Sequence, residues 1–248
     1  MFHLKMQFLG SFQVWVDSVP CDGFRSNRAR AMLAFLAVET GRTQARSSLA
    51  GSFWPDLSEA DALHNLRQTL VRIRQAIKDE QIDPPHLLIT RQAVQFNQAS
   101  SYELDVSEFE TLAENGLLPF RQAGKGTFKP DTAKLEQALL LYQGEFLKGY
   151  SFPESYAFDE WLLFKREHLH RLALEVMHTL AEFYLGQHNY SQALQHARRQ
   201  LELDSWREEA HRQVMLALFR MGQRSAALAQ YEICRKFLSA ELGVPPEP

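Results

Sequence analysis

The 248-residue chain is long enough for one large domain or two ordinary ones, and 45% hydrophobic residues leave no stretch biased enough to demand disorder. A net charge of −3 argues against general polyanion binding, and the opening MFHLKMQFLG is too short and too mixed for a signal peptide or a membrane span. Cys21 and Cys234 lie far apart and form no metal or redox spacing, which suits free thiols in a reducing cytoplasm.

Residues 4–9 and 12–17 alternate apolar and polar around Gly10-Ser11 and read as two short strands in a hairpin. From Asn27 to Thr40 the pattern turns helical, with Met32, Leu33, Phe35, Leu36 and Val38 apolar, and it ends at Gly41. A second helix covers about Ala45 to Phe53 and is stopped by Trp54-Pro55-Asp56. Either Asp56…Glu59 or Ser58…Asp61 can then form a capping box and start a third helix, over 62–78. After Pro84-Pro85, LLIT (87–90) and AVQF (93–96) flank Arg91-Gln92 in a tight hairpin. Strands, three helices and a hairpin make a winged helix-turn-helix, whose third helix is the one that enters the major groove.

Beyond this point the chain reads as helical. Asp105…Glu108 is another capping box, opening a helix that ends near Gly116, and residues 116–130 look like loop. Helices follow over about 131–143, 157–185, 190–203, 206–221 and 224–241. Gly186, Gly222 and Gly243 sit at helix ends, where a left-handed conformation is cheap, and Asn189…Gln192 and Ser205…Glu208 are start signals. Ala193-Leu194 and Ala227-Leu228 are 34 residues apart, the period of a tetratricopeptide helix pair.

The third helix has an unusual surface. Leu66, Leu70, Ile73 and Ile77 form its apolar stripe. The opposite face is led by His64, Gln68, Val71 and Gln75, with Asp61, Asn65 and Arg72 on one flank and Arg67 and Arg74 on the other. Amides and imidazoles both donate and accept, so they match base edges, and a glutamine can pair with adenine through two hydrogen bonds. Val71 suits a thymine methyl, and flanking arginines suit phosphates. Residues 25–78 carry nine basic against four acidic side chains, a local +5 inside a chain of net −3. A solvated helix face produces similar runs, so it is the helix and its context together that point to DNA. Arg46 and Ser47, at the start of the second helix, and Arg91 and Gln92, at the hairpin tip, complete the expected contact set.

No catalytic chemistry is supported. Gly124-Lys125-Gly126 lacks both the earlier glycine, replaced by Pro119, and the following Ser/Thr of a phosphate-binding loop. His168 and His170 fall on nearly opposite sides of a helix, no HExxH occurs, and no metal or cofactor is expected.

The same residues resemble a known family. LGSFQV (9–14), RARAMLAFLAVETGR (28–42), FWPD (53–56) and NLRQTLVRIRQAI (65–77) resemble the OmpR-type winged helix of the antibiotic regulatory protein (SARP) family. LYQGEFLKG (141–149), Trp161, KRE (165–167), LDSWREEAHRQVM (203–215), GQRSAALAQYE (222–232) and ELGVPP (241–246) resemble the bacterial transcriptional activator domain that follows it. The resemblance implies a cytoplasmic, non-enzymatic transcription activator. Such a protein binds direct repeats in promoters as double-stranded DNA, in some cases as a homodimer, and helps recruit RNA polymerase. It also implies that the chain is the N-terminal part of a longer protein carrying a STAND-type ATPase or sensor domain, with no membrane contact. Leu63 stands where relatives often carry Arg, which removes a contact there, and Ser205 replaces a usual Pro.

The expected architecture is therefore mainly α. A winged-helix DNA-binding domain with small β-hairpins spans 1–104, and an all-α, tetratricopeptide-like activator domain spans 105–248. The rival reading is a protein-interaction or autoinhibitory input module of a signalling ATPase whose winged helix has lost DNA binding. A retired winged helix has no reason to keep Gln68, Arg72 and Gln75 outward.

Overall fold

The structure, a computed structural model, describes residues 3–24, 26–122, 129–152, 154–241 and 243. The chain forms two compact units, one of Met1–Phe109 with Leu141–Leu169, the other of Glu110–Leu140 with His170–Pro248.

In the first unit, β1 (Leu4–Gln7) and β2 (Gln13–Val16) form the expected antiparallel hairpin, with Lys5 opposite Trp15. The alternation puts Leu4, Met6, Val14 and Val16 inside. Two pairings were not foreseen: β3 (Val19–Pro20) extends β2, and β7 (Tyr102–Leu104) adds parallel to β1, giving the order β3-β2-β1-β7. Helix α1 (Asn27–Val38) is capped by the Ser26 side chain, which accepts from the Ala29 N–H. Helix α2 (Arg46–Phe53) and α3 (Glu59–Ala76) follow, with the short β4 (Gln44–Ala45) between α1 and α2. β4 pairs with β6 (Ala93–Phe96), which pairs with β5 (Leu87–Ile89), so the wing is a three-stranded sheet.

The stretch 141–169 packs with these first hundred residues. The Leu147 N–H donates to the Phe8 carbonyl at 2.8 Å and the Lys148 N–H to Gly10 at 2.7 Å. Arg166 donates to the carbonyls of Phe146, Leu147 and Tyr150 at 2.7–2.9 Å, holding this segment in its turn. Behind it, Trp161 lies edge-on to Phe35 at 5.1 Å and donates from its indole to Glu39 at 3.0 Å, while Phe158 meets Phe53 at 5.5 Å. The Ser155 hydroxyl donates to the Ser52 carbonyl at the end of α2.

The second unit is all α. It takes most of α4 (Asp105–Gln122), α5 (Thr132–Leu141), the later half of α6 (Tyr156–Gly186), and α7 (Tyr190–Leu203), α8 (Glu208–Arg220) and α9 (Arg224–Glu241). α7, α8 and α9 pack in sequence order, and Ala181 of α6 joins Ala197, Val214, Leu218 and Ala227 in the core they share. This is the tetratricopeptide-like arrangement, with small residues where helices approach. Inside it, Gln213 accepts from buried Gln200 at 2.9 Å and donates to Glu182 at 2.6 Å, so the two buried amides are linked in one chain of hydrogen bonds.

Four readings change. α4 continues past Gly116 to Gln122: a Cβ on Gly116 would sit 2.5 Å from the Leu135 side chain, so this glycine serves a close approach rather than a helix stop. Residues 123–128, the rest of the expected loop with its Gly124 and Gly126, lie outside the described residues, as does 244–248. Gly186 is still helical, and the left-handed turn falls on His188 at φ 59°, whereas Gly222 and Gly243 do take positive φ. Ser205 caps nothing; α8 begins later, after Arg207.

The fourth change is Asp105. Its carboxylate accepts from the N–H groups of Phe8 at 2.8 Å and Leu9 at 2.8 Å, the donors just past the last ladder pair of β1, instead of forming a box with Glu108. Burial pushes this carboxyl up to about 6, against the pull of those N–H groups. A raised carboxyl binds its proton more tightly folded than unfolded, so its contribution is fully present below the unfolded value and fades as pH rises through about 6. Compared with Asp105→Asn, the native chain should therefore be relatively more stable at pH 4.5 than at pH 7.5, by about 2 kcal/mol. Urea titrations of both chains at the two pH values measure it; an unchanged difference means the carboxyl is ionised throughout.

Candidate nucleic-acid interface

The site is built around the rotational setting of α3. Ala62, Leu66, Thr69, Leu70 and Ile73 are buried, and Ile77 closes the stripe just past the helix end. Of the two starts the sequence allows, the structure uses Ser58 as the cap. Its hydroxyl oxygen accepts from the Asp61 N–H at 3.2 Å and its hydroxyl donates to the Asp61 carboxylate at 2.7 Å. Glu59 and Asp61 in the first turn also suit the helix dipole.

The far end is latched. A 3-10 turn over Asp79–Gln81 follows Lys78 in left-handed conformation. Asp79, only 1% exposed, accepts from the His86 N–H at 2.5 Å and from Arg74 Nε at 3.1 Å. His86 is fully buried, its Nδ1 2.9 Å from the Ser100 hydroxyl, and burial holds it below the ordinary histidine value. Arg74 also lies 3.7 Å from Glu80. Its guanidinium is thus occupied at the base of α3, where the sequence suggested a free phosphate contact; the partner lies five residues on, past the helix, where helical spacing gives no warning.

With both ends held, His64, Gln68, Val71, Arg72 and Gln75 are exposed along one face, and Asn65 is half-buried beside them. Val71 is 43% exposed among these polar groups. Arg67 and Arg91 are exposed, and neither they nor Arg72 form a side-chain hydrogen bond or ion pair among the described residues.

The wing adds the second wall. Leu87 faces Phe96 and Ile89 faces Val94, and the Thr90 N–H and hydroxyl close the turn on Ala93. The Arg46 N–H donates to the Gln92 carbonyl at 2.8 Å, and Arg46 Nη1 reaches the Thr90 carbonyl at 3.3 Å, so the start of α2 is tied to the wing tip. Ser47 and Gln92 are exposed on either side of this junction. Arg46, Leu63, Arg67, Ile89, Thr90 and Arg91 line an open cleft of about 480 Å³. Three guanidinium groups therefore line one cleft, and guanidinium is a group whose donors match phosphate oxygens in pairs. Leu63, where the resemblance implies no contact, also lines this cleft, one turn before Arg67.

The local +5 proves to be unevenly placed. Arg28 pairs with Glu154 at 3.3 Å and lies over the rings of Trp54 and Phe152, and Arg42 pairs with Glu39 at 2.8 Å. Arg30 lies beside Phe12, and Arg25 is outside the described residues. Of the counted groups, Arg46, Arg67 and Arg72 remain on this surface, and the wing adds Arg91 from outside the counted stretch. Among the described residues no cluster of three or more His, Cys, Asp or Glu is placed to hold a metal ion, and no helix is long and apolar enough to cross a membrane.

Comparison with known proteins bears on the whole chain. Residues 104–248 match the model of the bacterial transcriptional activator domain. The regulatory protein AfsR of Streptomyces coelicolor is 29% identical over 245 residues, 99% of this chain, though the chain spans only 23% of AfsR. The transcriptional regulatory protein MoaR1 of Mycobacterium tuberculosis is 25% identical over 222 residues, 89% of this chain and 68% of MoaR1. The structure of Mycobacterium tuberculosis EmbR, solved in complex with a low-affinity phosphopeptide, superposes with a TM-score of 0.73 at 18% identity, covering 100% of this chain and 63% of that one. That likeness shows the fold.

The geometry separates side chains that hold α3 from those that only face outward. Asp79→Ala should cost about 3 kcal/mol of stability, because it strands the His86 N–H and Arg74 together. Arg67→Ala and Arg91→Ala should each stay within about 0.5 kcal/mol of the native chain. Urea unfolding followed by tryptophan fluorescence distinguishes them; a neutral Asp79→Ala would mean that the latch does not hold the helix.

Proposed function

The chain belongs to the bacterial transcriptional activator domain family, and from that premise we propose that it is a transcription regulator which reads duplex DNA with α3 and the wing. In this reading residues 1–104 bind DNA and 105–248 form the activator domain. The protein acts as an activator on promoter direct repeats and engages RNA polymerase, with two copies able to occupy adjacent repeats. The single observation that carries the reading is the exposed row Gln68, Val71, Arg72 and Gln75, flanked by the cleft of Arg46, Arg67 and Arg91.

The division of labour follows from chemistry. Gln68 and Gln75 lie seven residues apart on one face, so both can point into one groove, where amides pair with base edges and Val71 meets a thymine methyl. His64 and Asn65 extend the same face toward the start of the helix. Arg67, Arg72 and Arg91 suit the groove walls, where each phosphate contact adds affinity without sequence information. Arg46, Ser47 and Gln92 sit where α2 and the wing tip meet the same backbone. Arg74 contributes by fixing the base of α3 through Asp79. An interaction module without DNA binding gains nothing from this outward row, which favours the DNA reading over that rival.

Titration of selected and scrambled duplexes at several salt concentrations tests the proposal. Binding should weaken with salt by roughly −0.9 in the log–log slope for each phosphate neutralised. Arg67→Ala should lower affinity for every duplex and shrink that slope by about one. Gln68→Ala should cost about 1–3 kcal/mol on the selected duplex and little on the scrambled one. A flat salt response, or equal losses for Gln68→Ala on both duplexes, would overturn the assignment.

A further inference from the structure

A second cleft in the first unit takes no part in the DNA-reading surface. It opens between β2, the segment after β3 and α1, has a volume of about 460 Å³, and is walled by Phe12, Trp15, Phe24, Cys21, Asp22 and Arg30 among others. That volume lies in the range of sites for small molecules, roughly 300–1,000 Å³. Phe12 stacks on Phe8 at 5.1 Å and meets Phe24 edge-on at 5.4 Å, so one wall is a fixed aromatic surface. Arg30 projects from α1 with its guanidinium carbon 5.9 Å from the centre of the Phe12 ring.

Arg30 is unlike its neighbours. Arg28 and Arg42 have carboxylate partners, whereas the Arg30 guanidinium makes no ion pair or hydrogen bond among the described residues; a buried Nε without an acceptor is something it shares with Arg28. Asp22 also lines the cleft, but it is exposed and forms no ion pair with Arg30. The group that best satisfies a guanidinium with no carboxylate partner of its own is a planar, two-oxygen anion. A single cation with a carboxylate nearby favours a monoanion over a phosphate dianion. The aromatic wall asks for a flat apolar body on the same molecule.

We propose that this cleft binds a small planar aromatic carboxylate, its ring against Phe12 and Trp15 and its carboxylate on the Arg30 guanidinium. The site is placed to act on α3. Gly23, between the lining residues Asp22 and Phe24, lies so close to that helix that a Cβ there would be 3.3 Å from the Cβ of Ala76. An occupant that shifts the 21–24 segment therefore bears on the last turn of α3. The consequence for DNA rests on the function proposed above; the binding itself does not.

The test is calorimetric titration of the whole chain, without DNA, using 2-naphthoate as the probe and 2-naphthalenemethanol as its uncharged counterpart. The naphthoate should bind saturably at one site per chain, and the alcohol about tenfold or more weakly. Arg30→Gln should weaken naphthoate about tenfold while leaving the alcohol unchanged, and Arg30→Lys, which keeps charge but not the planar fork, should fall between. Absence of saturable binding, equal binding of acid and alcohol, or an Arg30→Gln chain that binds naphthoate as the native one does, would each overturn the proposal. The acid–alcohol comparison needs no variant, so the result stands even where a substitution disturbs folding.

Discussion

The interface depends on one constraint, the rotational setting of α3. Successive residues of a helix are about 100° apart, so the four side chains Leu66, Leu70, Ile73 and Ile77 fix where every other residue points. Burying each is worth about 1.5–3 kcal/mol, and turning the helix by one position would expose them and bury amides and guanidinium groups without partners. The Ser58 cap and the Asp79 latch hold the ends, which are the parts of a helix most prone to fray. The polar face is therefore prearranged, and its side chains need little further ordering to engage a ligand.

A second dependence runs through the segment 141–169. Its Phe152, Phe158 and Trp161 cover Phe35 and Phe53, the apolar sides of α1 and α2 on which α3 is supported. The family model begins at residue 104, yet part of the stretch it matches completes the compact unit that contains α3. A chain ending at residue 104 would leave those rings bare to water, together with the Phe8 and Leu9 N–H groups that Asp105 satisfies. In this family member the winged helix and the start of the activator sequence form one folding problem.

Much of the helical layout was legible because it rests on local pattern. The spacing of Leu66, Leu70, Ile73 and Ile77 states both the existence and the facing of α3, and the 34-residue step from Ala193 to Ala227 marks the packing of α7 to α9. What was not legible depends on distant partners. Gly116 reads as a helix stop, yet it serves Leu135, nineteen residues away. Asp105 reads as a cap, yet its partners are the N–H groups of Phe8 and Leu9 just past β1, nearly a hundred residues earlier. β4 and β7 are two- and three-residue strands whose only signal is the edge they join. At the interface, the glutamines and Val71 were readable from periodicity. Charge counting was the weaker guide, because Arg28 and Arg74 look the same in sequence as Arg67, and only the fold supplies their acidic partners, while Arg42 is taken up locally by Glu39.

The central claim is that the outward face of α3 lies in a DNA groove, and selection of binding sites from a pool of randomised duplexes tests it most directly. The account predicts enrichment of a short motif confined to one major-groove face. It also predicts that the motif vanishes when Gln68, Val71 and Gln75 are replaced together by alanine in a chain that still folds. Enrichment of nothing, or of the same motif by the replaced chain, would contradict it.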